Sequence, residues 1–165
     1  MDNGLIAAND PNLKPFFARG GKLLQYHGWA DLLISPFDCI NYYENVSRAF
    51  GGTNKIVDSY SLFMIPGMDH CRGGEGLTNF DSTTVIEQWV EKHKPPDRIL
   101  ANRIVNTRKT RSRPLCPYPQ VAQYKGAGST DDASNFVCSA VEVNEEVRCG
   151  CRQLSPLSRN AAMRI

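Results

Sequence analysis

The sequence predicts an α/β fold with a mostly parallel sheet. Residues 22–27 form a short apolar run closed by Gly28, and residues 57–64 form a second run rich in Val, Tyr and Phe; both are typical of buried strands. An amphipathic helical pattern over residues 36–50 separates the two runs, and another helical pattern follows the second run. Strands that alternate with helices in this way usually pair in parallel.

Both predicted helices have start signals in the sequence. Ser35 is expected to cap the first helix, with Pro36 at its first helical position. Asp81 or Thr84 is expected to cap the second helix, and the double proline at 95–96 is expected to end it. The front half of the chain therefore reads strand, helix, strand, helix.

The pattern changes after residue 97. Strands are predicted at residues 99–105 and 121–124, with a basic segment and a proline-rich turn between them. No periodicity is visible from Ser139 onward. We therefore divide the chain into a first part, residues 1–138, and an irregular tail, residues 139–165.

Composition excludes several classes of protein. The 165 residues carry 19 Lys+Arg and 17 Asp+Glu, a net charge of +2, which gives no reason to expect nucleic acid as a partner. No run reaches the roughly 18 apolar residues of a membrane span, so no membrane association is expected. The N-terminus also lacks the basic and apolar regions of a signal peptide.

The cysteines point to an oxidising compartment rather than to a metal site. No Cys-x-x-Cys pair occurs, so neither a zinc ribbon nor a thioredoxin-type site is predicted, and no metal site is expected. Six cysteines in a chain without a signal peptide lead us to expect that an upstream segment is missing. The cysteines are Cys39, Cys71, Cys116, Cys138, Cys149 and Cys151.

Two polar residues follow the two predicted strands of the front half. Asp31 comes after the first strand, and His70 comes after the second. Because neighbouring parallel strands end at the same sheet edge, the two side chains can meet there, and an aspartate can then orient a histidine. The alternatives are that Asp31 only forms a turn or caps a helix and that His70 is structural. His27 is a weaker candidate, since it lies on the same strand end as Asp31.

No nucleophile is evident to complete such a pair. The sequence contains no Gly-x-Ser-x-Gly motif, and Ser139 follows the last predicted element. Cys71 adjoins His70, but neighbouring side chains in an extended loop point apart. A disulfide is therefore the preferred interpretation of Cys71.

Several motifs occur together in the first part of the chain. They are Arg19-Gly20-Gly21-Lys22, His27-Gly28-Trp29-Ala30-Asp31, Tyr42-Tyr43, Pro66-Gly67-Met68-Asp69-His70-Cys71, Arg113-Pro114-Leu115-Cys116-Pro117-Tyr118-Pro119, and the stretch from Tyr124-Lys125-Gly126 to Asn135-Phe136-Val137-Cys138. In combination they resemble the C-terminal part of the tannase/feruloyl esterase family, over most of residues 2–138. That family consists of secreted serine esterases with an α/β-hydrolase core and a large lid domain.

The resemblance implies roles for named residues. Asp31 and His70 match the family's catalytic Asp and His, and Cys71 matches a cysteine that pairs with the one before the catalytic serine. Cys116 and Cys138 match a family disulfide. The serine, the calcium-binding lid and most of the sheet would lie upstream, so no cofactor is expected in this chain.

The resemblance also implies an activity for the whole protein. The expected reaction is hydrolysis of aromatic carboxylic esters, feruloyl or galloyl, and a separate N-terminal chain is one possible partner. The alternative is an inactive truncated product or a small disulfide-stabilised binding domain. Asn45 lies in an Asn-x-Ser glycosylation sequon on the polar face of the first predicted helix.

Overall fold

The computed structural model describes residues 8–140. These residues form three α-helices, six strands and two short 3-10 helices. The helices are α1 (Lys14–Phe17), α2 (Pro36–Ala49) and α3 (Ser82–Lys92), the strands are β1 (Leu23–Gly28), β2 (Tyr60–Ile65), β3 (Ile99–Val105), β4 (Arg108–Leu115), β5 (Gln120–Tyr124) and β6 (Phe136–Ala140), and the 3-10 helices are Thr53–Lys55 and Ala133–Asn135. Residues 1–7 and most of the predicted tail, including Cys149 and Cys151, lie outside the described residues.

β1 and β2 form the parallel pair that the sequence predicts. Their register runs from Leu23 opposite Tyr60 to Gly28 opposite Ile65, so the two strands end level with each other. α2 is the crossover between them. β2 begins at Tyr60, three residues later than predicted, because a 3-10 helix and a turn occupy residues 53–59.

β2 is the centre of the core because both of its faces are covered. Tyr60 and Leu62 pack with residues of α2 on one face, and Phe63 and Ile65 pack against β3, β4 and the loop after β2 on the other. A strand covered on both sides is mostly apolar, and in β2 five of the six residues are apolar or aromatic, with Ser61 as the polar one. From α2, three residues of the predicted apolar face are buried, namely Ile40, Tyr43 and Val46.

α3 begins directly after Asp81, one of the two predicted caps, and ends at Lys92, three residues before the double proline begins. The Asp81 carboxylate caps it by accepting a hydrogen bond from the Thr84 backbone N–H at 2.9 Å. Its buried residue is Trp89, and the chain leaves the helix at His93 in a left-handed conformation. The double proline follows, where the helix cannot continue.

The prediction of a mostly parallel sheet is wrong for the described residues. They contain one parallel pair, β1–β2, and two antiparallel pairs, β3–β4 and β5–β6. β4 is the basic segment that the sequence did not indicate as a strand, and its first four residues are exposed. Antiparallel hairpins tolerate such a water-facing strand, whereas parallel pairs buried between helices do not.

A disulfide joins the two hairpins. Cys116 follows β4, Cys138 lies in β6, and their Cα atoms are 5.5 Å apart. This confirms the pair that the family resemblance implied. The bond holds the last hairpin, which exposes most of its residues, to the buried end of β4.

Removing this disulfide should destabilise the chain by about 3 kcal/mol, because the unfolded state regains the entropy of a 22-residue loop. The variant is Cys116→Ala with Cys138→Ala, and the measurement is urea unfolding without reductant. Cys71→Ala is the matched control, since Cys71 is exposed and forms no disulfide within residues 8–140. A loss no larger than that of the control would contradict the prediction.

Candidate active site

The structure brings Asp31 and His70 together at the carboxyl ends of β1 and β2. His70 Nδ1 lies 2.8 Å from Asp31 Oδ2, although 39 residues separate them in sequence. The level ends of the parallel strands place the two loops side by side. Because a carboxylate only accepts hydrogen bonds, Nδ1 carries the proton and Nε2 is the free nitrogen of the neutral ring.

Asp31 is buried and ionised. Its side chain is 2% exposed, and its Oδ1 accepts hydrogen bonds from the backbone N–H groups of Leu33 (2.8 Å) and Ile34 (3.0 Å). Burial alone would raise the pKa of Asp31, but these bonds and the His70 ring outweigh burial and lower it to about 2. Asp31 is therefore both a turn former, as one alternative held, and a partner of His70.

His70 is accessible, as a residue that acts on an external group must be. Its side chain is 39% exposed. Within the part of the chain that the structure describes, its Nε2 atom has no hydrogen-bond partner. The pair can therefore take up a proton at Nε2 while the Asp31 carboxylate stabilises the resulting imidazolium.

Gly28 allows the two loops to approach each other. The backbone N–H of Trp29 donates to Ile65 O at 2.9 Å, and that of Ala30 donates to Met68 O at 3.0 Å. A Cβ on Gly28 would lie 2.1 Å from Met68 O, well inside contact distance. The backbone contact that positions Asp31 beside the His70 loop therefore requires a glycine here.

His27, the weaker candidate for this site, also lies against Asp31, together with His70. His27 Nε2 lies 3.1 Å from Asp31 Oδ2, and His27 Nδ1 lies 3.1 Å from Cys39 Sγ. In the sequence, this contact is indicated by the four-residue spacing between His27 and Asp31. Whether two such residues meet depends on the path of the loop between them, which the spacing does not specify.

Two other predicted site residues, Cys71 and Asn45, form no hydrogen bond with Asp31 or His70 among the described residues. Cys71 follows His70, is exposed, and forms no disulfide within residues 8–140. Asn45 is exposed on α2, as predicted, while Ser47 of its sequon is buried and contacts Thr53. Glycosylation of Asn45 stays a prediction.

Residues 8–140 contain no group of three or more His, Cys, Asp or Glu side chains that could hold a metal ion. None of the helices in this range is long and apolar enough to cross a membrane.

An aspartate and then a histidine follow successive parallel strands, which is the order found in α/β-hydrolase-like proteins. The family can be stated more narrowly. The sequence model of the family described as tannase and feruloyl esterase matches residues 3–139, and the chain belongs to that family.

Relatives and solved structures agree with this assignment. The chain is 41% identical over 136 residues to mono(2-hydroxyethyl) terephthalate hydrolase of Piscinibacter sakaiensis, covering 81% of the chain and 22% of the relative. It is 32% identical over 149 residues to feruloyl esterase B of Aspergillus niger, covering 81% and 29%. The crystal structure of an esterase from Aspergillus oryzae superposes with a TM-score of 0.72 at 31% identity, covering 79% of this chain and 29% of that one. The chain thus spans less than a third of the proteins it matches.

Proposed function

We propose that this chain provides the aspartate and histidine of a carboxylic ester hydrolase whose nucleophilic serine lies in a part of the family protein outside these residues. The observation that carries the proposal is the 2.8 Å contact between His70 Nδ1 and Asp31 Oδ2, with the His70 ring exposed. The absence of a Gly-x-Ser-x-Gly motif from the sequence supports an external nucleophile.

The proposed reaction is acyl transfer through a serine. His70 Nε2 takes the serine proton as the hydroxyl attacks the ester carbonyl, and then gives that proton to the leaving alcohol. Water, deprotonated by the same nitrogen, next attacks the acyl-enzyme; Nε2 then returns that proton to the serine oxygen as the acid is released. Asp31 stays ionised throughout, because its pKa is about 2, and it stabilises the imidazolium at each stage.

The proposed substrates are esters of aromatic carboxylic acids. The relatives named feruloyl esterase and mono(2-hydroxyethyl) terephthalate hydrolase both carry the names of such esters. Apolar side chains beside Asp31 are exposed in this chain and would suit an apolar substrate or the remainder of the enzyme. They are Trp29, Leu32, Leu33, Ile34 and Phe37.

The cysteines support a secreted protein. The Cys116–Cys138 disulfide is of a kind that persists in oxidising compartments. The exposed Cys71 is available for a disulfide with a cysteine next to the serine, which would tie the nucleophile loop to the His70 loop. The proposed location of the whole enzyme is therefore extracellular.

A chimera tests the roles of the two residues. Residues 1–138 would replace the matching C-terminal segment of Aspergillus niger feruloyl esterase B, which supplies the rest of the enzyme. We expect the chimera to hydrolyse methyl ferulate and His70→Ala to lower its kcat/KM by about 10⁴-fold or more. The 165-residue chain alone should hydrolyse the same ester no faster than buffer.

His93→Ala is the matched control for this loss. His93 is exposed at the end of α3 and forms no hydrogen bond or ion pair with Asp31 or His70 among the described residues, so its replacement should leave kcat/KM unchanged. An active chimera that is indifferent to His70→Ala would refute the proposal. Hydrolysis by the isolated chain that depends on His70 would show instead that the nucleophile lies within it.

A further inference from the structure

The ester-hydrolysis proposal uses Asp31 and His70 but leaves His27 unexplained. His27 belongs to β1, and its side chain is 12% exposed. Its Nε2 atom lies 3.1 Å from Asp31 Oδ2, the same oxygen that contacts His70, and 3.2 Å from the backbone carbonyl oxygen of Ile34. A half-buried histidine thus contacts the carboxylate from the interior while His70 contacts it from the surface.

The partners of His27 determine its tautomer. Ile34 O and the ionised Asp31 Oδ2 can only accept hydrogen bonds, so Nε2 must carry a proton and donate. In the neutral ring, Nδ1 is then an acceptor. The Cys39 thiol, with Sγ 3.1 Å from Nδ1, is the group that donates to it.

The chain of hydrogen bonds continues toward the interior, and each group donates in the same direction along it. Gln25 Nε2 donates to Cys39 Sγ at 3.2 Å, and the hydroxyl of the buried Tyr60 donates to Gln25 Oε1. Burial raises the pKa values of both the Cys39 thiol and the Tyr60 hydroxyl, so both keep the protons they donate. Every donor from β2 outward therefore points toward the loop after β1, and the last one, His27 Nε2–H, donates to Ile34 O.

We propose that His27 is a positioning residue, whose Nε2–H donates to Ile34 O and fixes the turn that holds the Asp31 carboxylate in the orientation that receives His70 Nδ1–H. Ile34 takes part twice, because its backbone N–H donates to Asp31 Oδ1 and its backbone carbonyl accepts from His27, so His27 acts on the carboxylate through this turn. Hydrogen bonds polarised in one direction reinforce one another. This inference rests on the role proposed above for Asp31.

The first test is the tautomer of His27 in the full 165-residue chain, measured by long-range ¹H–¹⁵N NMR. The chain has three histidines, so His93 serves as an internal reference. At about pH 8.5, where a histidine is normally neutral, we expect His27 as the Nε2–H tautomer and His70 as the Nδ1–H tautomer. A His27 ring protonated on Nδ1 would overturn the inference.

The second test asks whether His27 acts on His70 through Asp31. His27→Leu removes the donor and should lower the ratio of Nδ1–H to Nε2–H tautomer at His70 by about threefold or more. His27→Gln can present an amide N–H to Ile34 O and should restore the ratio. If His27 had a purely structural role, His27→Gln would not restore the ratio. In both variants the His93 signals should stay unchanged.

Asp31→Asn separates the two proposals. If Asp31→Asn leaves the His70 tautomer ratio unchanged, the Asp31–His70 pair itself is refuted, and the proposed function fails with it. If Asp31→Asn shifts the ratio and His27→Leu does not, only the positioning role of His27 is refuted. A shift in both variants, with rescue by His27→Gln, supports both.

Discussion

Asp31→Asn is expected to lower methyl ferulate hydrolysis by the chimera about 10⁴-fold while the protein stays folded. The amide can donate to His70 Nδ1 as well as accept from it, so it no longer enforces the tautomer with a free Nε2. It also removes the charge that stabilises the imidazolium. The measurement is kcat/KM, with circular dichroism to show that the fold is retained.

Asp81→Asn is the matched control for this effect. Asp81 is also a loop aspartate whose pKa is lowered by a backbone N–H, that of Thr84, but it caps α3 and lies outside the site. Asparagine is a good helix cap, so hydrolysis should be unchanged. Equal losses in the two variants would indicate a general effect on folding rather than a role for Asp31.

Asp31→Asn should also alter the acid stability of the chain. The pKa of Asp31 falls from 3.8 to about 2 on folding, so its ionised form stabilises the folded state above pH 3.8. That contribution is lost as the pH falls from about 4 to about 2. Urea unfolding of Asp31→Asn should therefore show a flatter dependence of the unfolding free energy on pH in this window than the unsubstituted chain shows.

The meeting of Asp31 and His70 could be predicted because it depends on topology alone. Two apolar runs joined by a helix make neighbouring parallel strands, and residues just beyond their ends share one edge. No detail of side-chain packing is needed for that step. The disulfide between Cys116 and Cys138, by contrast, came from family resemblance, because the spacing of cysteines does not determine how they pair.

The two hairpins were harder to predict. β4 begins with exposed, mostly basic residues and lacks the apolar run that identified β1 and β2. Its turn uses Asn106 and Thr107, both with positive φ, as in the type I′ turn that joins antiparallel strands. Asparagine is a usual residue there, but a β-branched threonine is unfavourable in that conformation, so the turn signal is weak.

The contact of His27 with Asp31 was missed for a different reason. It depends on a loop that folds back so that the backbone carbonyl of Ile34 and the carboxylate of Asp31 both reach the same imidazole nitrogen. Cys39 joins the network from α2, twelve residues after His27. Such convergence depends on the packing of α2 against β1, which strand and helix periodicity does not specify.

Gly28→Ala is expected to have the largest effect of any single methyl group added to the site. The new Cβ would lie 2.1 Å from the carbonyl oxygen of Met68 and 2.7 Å from that of Asp69, both backbone atoms that cannot rotate away. The loops after β1 and β2 must therefore separate, at a cost of about 3 kcal/mol in unfolding free energy. Separation stretches the Asp31–His70 contact, so kcat/KM of the chimera should fall at least about 100-fold.

Gly20→Ala distinguishes this steric effect from the ordinary cost of replacing a glycine. Gly20 has a φ of +79° and no atom within 4 Å of the added Cβ, so its substitution strains the backbone without a clash. It should cost about 1 kcal/mol and leave hydrolysis intact. Gly28 presents the opposite case, with a clash and no left-handed φ. If both variants lost the same stability and neither lost activity, the close approach at Gly28 would not be what positions Asp31 beside His70.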